Sequence, residues 1–273
     1  MGKRVAFMKQ PELTQYSVGG SMADYIVTTT RSVLPVPDDI DFDHASSFFV
    51  NPLTAIGMVE RVKELKSRSC IVTAAASQIG RMIIQLLASE GIIPICTVRK
   101  EDQAEMLRKV LGPKLGKFVV NTSSPTFKKE LGMICMKLKP STCLECVSGD
   151  VTGTILEFMG YKSTLILYGI LSDKPAGNIN TISFIGKAQT IEGFILNQYL
   201  ATKSLSQFFE IFLKAESMYK TALKTTVNKR FGFHQVEEAV EYYLKNQTAG
   251  KIVFKPSLTT ADAEPTQPLN LDQ

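Results

Sequence analysis

The feature that most restricts what this chain can become is an alternation in its middle. Short apolar or β-branched runs at 70–74, 92–98, 118–120, 141–147, 163–168 and 190–196 alternate with helically spaced stretches at 78–90, 102–111, 125–138 and 151–159. In the first helix Ile79, Met82, Ile83, Leu86 and Leu87 share one face, and Gly91 closes it. Pro125 opens the third, whose inward face carries Phe127, Leu131, Ile134 and Leu138. This rhythm builds βαβ units, and so a mostly parallel sheet with helices on both faces. The predicted class is α/β, a doubly wound parallel sheet over residues 66–201.

The flanks differ. Residues 1–50 hold short alternating stretches at 5–8 and 23–29, broken by Gly19-Gly20 and Pro35-Val36-Pro37, as a β-meander would be. A helix is expected at 51–65, further helices at 204–215 and 234–244, and extended segments at 225–230 and 251–254. Together 1–65 and 202–258 predict a second, β-rich domain, split in sequence by the sheet domain. Residues 259–273 are polar and contain Pro265 and Pro268; they read as a disordered tail.

Composition narrows the function classes. Of 273 residues 44% are hydrophobic and 21% charged, which supplies a core and excludes disordered and collagen-like chains. No apolar run reaches the ~18 residues a bilayer span needs. The net charge is +5, with cations spread along the sequence, which argues against nucleic-acid binding. Cys70, Cys96, Cys135, Cys143 and Cys146 lie mostly in apolar runs, as reduced core thiols do. The N-terminus lacks the apolar stretch of a secretory signal. The cytoplasm is the expected location, with the mitochondrial matrix as the alternative.

The segment richest in chemistry runs from Val72 to Met82, where the first strand turns into the first helix. A helix N-terminus there offers free N–H groups to a pyrophosphate, and small residues let the phosphates approach. Ala74, Ser77 and Gly80 occupy the three places of a dinucleotide-type glycine fingerprint; the structural alternative is Ser77 as an N-cap. At the end of the second strand Arg99 and Lys100 precede Glu101 and Asp102. Two cations suit a ribose 2′-phosphate; a solvated turn with Glu101 or Asp102 capping the next helix is the alternative. Cys143 and Cys146 have CxxC spacing, but inside an expected strand the two side chains point apart, which favours packing over a redox or zinc site. His44 and His234 have no ligand partner at metal spacing, so no metal is expected.

In order and spacing these segments resemble the medium-chain dehydrogenase/reductase superfamily, in its zinc-independent quinone-oxidoreductase and enoyl-thioester-reductase branches. Gly20-Ser21-Met22-Ala23-Asp24-Tyr25 is similar to the G-x-x-A-E-Y strand, and Asn51-Pro52-Leu53-Thr54-Ala55 to the N-P-x-T-A turn. Residues 74–80 resemble the A-x-x-G-x-x-G phosphate turn, with Ser77 for the middle glycine. Tyr168-Gly169, Glu192-Gly193-Phe194 and Gly250-Lys251-Ile252-Val253 resemble later strands of the same fold. The resemblance implies a Rossmann domain with a partial GroES-like catalytic domain, since family members carry a longer N-terminal section. It implies NADPH, zinc-independent hydride transfer to a quinone or activated enoyl double bond, and a small-molecule substrate. The implied cofactor contacts are Thr54, Ser77, Gln78, Ile79, Gly80, Arg99, Lys100, Tyr168, Gly169, Phe194 and Lys251, with Asn51 and Thr54 near substrate or nicotinamide. A homodimer through 190–196 is expected. The competing expectation is a catalytically degenerate scaffold or assembly subunit of a larger complex, since no clear proton donor stands out.

Overall fold

The computed structural model describes residues 2–7, 25–28 and 33–258. It forms two compact units, Val50–Lys224 and the pair Met1–Phe49 with Thr225–Gln273. The motif residues 20–24, most of the expected strand at 23–29 and the tail at 259–273 lie outside the described residues; 25–28 carries no strand assignment.

The smaller unit opens with β1 (Val5–Phe7), β2 (Val33–Pro35) and α1 (Phe42–Ala45). β1 and β2 are antiparallel, with Ala6 opposite Leu34. Asp41 caps α1, its carboxylate accepting from the His44 amide and bonding the His44 ring.

The larger unit runs α2 (Val50–Glu64), β3 (Ser69–Val72), α3 (Gln78–Ser89), β4 (Ile93–Val98), α4 (Glu101–Leu115), β5 (Val119–Asn121), α5 (Phe127–Leu138) and β6 (Thr142–Glu145). It continues with α6 (Asp150–Phe158), β7 (Thr164–Leu167), α7 (Thr181–Gly186), β8 (Thr190–Gly193), α8 (Leu196–Ala201) and α9 (Leu205–Met218). The smaller unit resumes with β9 (Val227–Phe231), α10 (Val236–Lys245) and β10 (Lys251–Phe254), β9 and β10 pairing in parallel. Phe231 is buried there, against the rings of Tyr242 and Phe254.

Six strands form one parallel sheet in the order β5-β4-β3-β6-β7-β8. The chain starts in the middle, winds outward to β5, then crosses over to β6. That reversal is a topological switch point, where open α/β sheets bind ligands beyond their strand carboxyl ends. β3 and β6 are buried along their whole length, as strands covered on both faces are. Under one face Leu131 and Cys135 of α5 and Ile155 of α6 pack on Ile71, Ile95, Cys143 and Leu165. The α3 face carries Met82, Ile83, Leu86 and Leu87, each nearly or wholly buried. Each such side chain contributes roughly 1.5–3 kcal/mol by leaving water.

Several boundaries depart from the sequence expectation. The strand expected at 190–196 ends at Gly193, and α8 begins at Leu196. The strand expected at 141–147 ends at Glu145, because the Cys146 amide turns to the Thr73 hydroxyl at 2.9 Å. The CxxC cysteines therefore do not share a strand, although both are buried free thiols. The six-residue α7, capped by Asn180, was not expected: its Thr-Ile-Ser-Phe-Ile run has no clear helical signature. α2 and α9 fall in the larger unit, where α2 packs on α3 and α9.

Candidate functional site

The turn after β3 is held tightly. The Ala75 amide donates to Thr97 O at 3.1 Å and the Thr73 amide to Leu144 O at 3.0 Å, tying the turn to both neighbouring strands. Ala74 sits at φ 45°, in the left-handed region that an L side chain resists and glycine accepts. Ser77 is the N-cap of α3: its hydroxyl accepts from the Gly80 amide at 3.1 Å. A Cβ on Gly80 would stand 2.6 Å from Ala74 O and 2.8 Å from Ala75 Cα, so only glycine lets the helix come this close. The Ile79 amide, in the same first turn, donates to no atom among the described residues. It lies at the positive end of a twelve-residue helix.

One strand away, Arg99 and Lys100 follow β4, both exposed and neither in an ion pair among the described residues. The backbone amides of both donate to Gln103 Oε1 at 3.3 Å, and the Asp102 carboxylate accepts from the Gln103 amide at 2.8 Å, so Gln103 and Asp102 together close the start of α4. Glu101 is engaged elsewhere, accepting from Arg108 at 2.5 Å and from Asn121 at 3.0 Å.

At the switch point, residues from β3, β6 and β7 converge. Glu145 ends β6 and is 0% exposed. Its carboxylate accepts from the Val147 amide (2.7 Å), the Ser148 amide (3.0 Å), the Thr73 hydroxyl (3.3 Å) and the Thr152 hydroxyl (3.0 Å). The β3 and β6 turns are thus laced together across the crevice, which offsets the cost of burying a carboxylate. Ser148 lies at φ 63° and donates its hydroxyl to Gly169 O at 3.2 Å. Segment 171–177 folds over the start of α6: the Leu171 amide donates to Cys146 O and the Gly177 amide to Gly149 O. A Cβ on Gly169 would stand 2.9 Å from Cys146 Cβ, which fixes that close passage. The Tyr168 hydroxyl is buried beside the Cys146 thiol and has no oxygen or nitrogen partner. Burial, with the Cys146 thiol next to it, raises the Tyr168 pKa well above the ordinary value.

Ser77, Gln78, Ile79 and Gly80 are therefore on one helix start, Arg99 and Lys100 on the neighbouring strand end, and Tyr168 and Gly169 across the switch. Phe194 follows β8 and faces Tyr199, ring centroids 5.5 Å apart. Asn51 and the buried Thr54 open α2. Lys251 begins β10 in the smaller unit, where burial lowers its pKa. Glu145 was missed from sequence; an acid ending an otherwise apolar strand was the available signal. The thiols offer no nucleophile: burial pushes Cys70 and Cys135 up to about 12, and Cys146 up to about 11. Among the described residues there is no group of three or more His, Cys, Asp or Glu that could hold a metal ion, and no helix long and apolar enough to cross a membrane.

No protein-family model matches the chain. Mitochondrial enoyl-acyl-carrier-protein reductase from Arabidopsis thaliana is 26% identical over 193 residues, 70% of this chain and 51% of that protein. The same enzyme from Dictyostelium discoideum is 26% identical over 265 residues, 92% of this chain and 71% of that protein. A Mesorhizobium loti structure assigned as an NADPH:quinone reductase superposes with a TM-score of 0.74 at 26% identity, over 83% of this chain and 64% of that one. These similarities support the medium-chain dehydrogenase/reductase superfamily for this chain. Within that superfamily it resembles the quinone-oxidoreductase and enoyl-reductase branches. The chain spans about half the length of the Arabidopsis relative.

Proposed function

We propose that the crevice beyond β3, β4 and β6 binds a nicotinamide dinucleotide, NADPH, in an oxidoreductase that reduces a quinone or an activated enoyl double bond. One juxtaposition carries the reading: the Ile79 amide at the start of α3 lies one strand away from the cations Arg99 and Lys100, the amide without a hydrogen-bond acceptor and the cations without an ion-pair partner among the described residues. The residues fit the group. The amide and helix dipole suit a diphosphate, and the cations suit a ribose phosphate. Tyr168 and Gly169 line the far side of the switch. When bound, the reduced nicotinamide supplies a hydride; the chain supplies binding and orientation. Asn51 and Thr54 are the candidates for contact with nicotinamide or substrate, and Phe194 completes the set proposed within the larger unit. The mitochondrial relatives favour the matrix as the location over the cytoplasm.

A second reading is a reductase-derived scaffold or assembly subunit that leaves the crevice empty or holds the dinucleotide without turnover. It is favoured by the crevice chemistry, where Glu145 is saturated by donors and the Cys146 and Tyr168 protons are tightly held. Fluorescence titration of the full chain with NADPH and NADH tests dinucleotide binding. NADPH is expected to bind at least about tenfold tighter, and Arg99→Ala to narrow the gap. Equal affinities remove the role of the two cations, and no binding removes the enzyme reading and leaves a scaffold with an empty crevice. Turnover of a panel of quinones and enoyl thioesters then separates enzyme from scaffold.

A further inference from the structure

The positive charge of this chain is concentrated. Residues 99–139 hold ten Lys and Arg against four Asp and Glu, a surplus of six, whereas the whole chain has a surplus of five. These cations lie in and beside α4 and α5, the helices that flank β5 in sequence at the β5 edge of the sheet. Nine of the ten are exposed. The tenth, Arg108, pairs with Glu101, and no other cation of the stretch enters an ion pair among the described residues.

α5 gives this edge a shape. Its inner face commits Phe127, Leu131 and Cys135 to the core. Its outer face carries Met133, 50% exposed, and Met136, 73% exposed. Helical spacing puts Lys129 on the same outward line and Lys128 and Lys137 to either side. Methionine is flexible and polarizable and fits irregular apolar partners. Lysines around such a centre repel one another until an anionic surface arrives, and they steer its approach.

We infer that the outer face of α5, at the β5 edge, is a docking surface for an acidic protein, steered by lysines and seated on Met133 and Met136. The inference does not depend on the redox reading. Nucleic acid fits less well, because eight of the nine exposed cations are Lys rather than the phosphate-clasping Arg. The two aromatics of the stretch, Phe118 and Phe127, are buried, which removes a base-stacking platform. A lipid surface fits less well, because no exposed aromatic anchors the edge.

The test uses the full chain and three probes: a fluorescein-labelled helical peptide of Glu and Leu, single-stranded DNA of equal length, and vesicles containing phosphatidylserine. The peptide is expected to bind, and to weaken at least about tenfold between low and near-physiological salt. Lys129→Glu with Lys137→Glu should weaken it about tenfold or more. Met133→Ser with Met136→Ser should weaken it several-fold and keep the salt dependence. Lys224→Glu, an exposed lysine outside the edge, should change nothing. All these positions are exposed, so unchanged thermal midpoints should accompany the effects. Absence of peptide binding at low salt, binding indifferent to both α5 pairs, or tighter binding of DNA or vesicles would each overturn the assignment.

Discussion

At the scale of single residues, the site rests on a few positions whose replacements have calculable consequences. Gly80→Ala drives a methyl group against the Ala74 carbonyl, and backbone cannot yield as a side chain would. A loss of about 2–3 kcal/mol in urea unfolding is expected, together with weaker NADPH binding. Ala74→Gly works the other way: release from the left-handed region outweighs the added chain entropy, for a gain of about 0.5 kcal/mol. Glu145→Gln places an amide donor among four donors, so a cost of about 2–3 kcal/mol is expected, and an unchanged unfolding midpoint would refute the lacing role. The five buried thiols should ignore a thiol reagent at mildly alkaline pH and all react in denaturant; rapid labelling of the native chain would contradict their burial. Ser77 as a cap was legible from sequence because capping is local. Glu145 was not, since Thr73 reaches it only once β3 and β6 lie side by side.

Among the elements, one carboxylate joins three helices. Glu90, at the end of α3, accepts from Lys63 of α2 at 2.5 Å and from Lys214 of α9 at 3.2 Å. The hydrogen bond from Lys63 is the main cause holding its carboxyl below the ordinary 4.5, against the opposing pull of burial. A depressed folded-state pKa contributes stability that is fully present above 4.5 and is lost as pH falls through the lower folded value. The group is a quarter exposed, so about 0.5–1 kcal/mol is at stake. Glu90→Gln should lower stability by that amount at neutral pH and flatten its decline in acid; parallel acid profiles for the two proteins would show the pairs to be idle. The sheet helices were readable because each displays one apolar stripe. α7 and α8 were not, being six residues each and too short for a periodicity to repeat.

For the molecule as a whole, the open edges of the sheet are the places to look for partners. At β8 the Thr190 and Phe194 amides donate inward to Ser163 and Leu167, and alternation turns those of Ile191 and Gly193 to the open side. An edge strand with amides turned outward invites pairing. A homodimer through this strand is the proposed state, and light scattering that finds only monomer over a wide concentration range would count against it. The β5 edge, basic and tipped with methionine, is suited instead to an unlike, acidic partner.

Periodicity and local chemistry in the sequence sufficed for the alternating sheet domain, the Ser77 turn and the cations after β4, because each depends on neighbours within a few residues. The tertiary structure alone decided the strand order and the lacing of Glu145 on β6 to Thr73 after β3. Those facts depend on which segments the crossover lays side by side, and a linear pattern does not encode that distance.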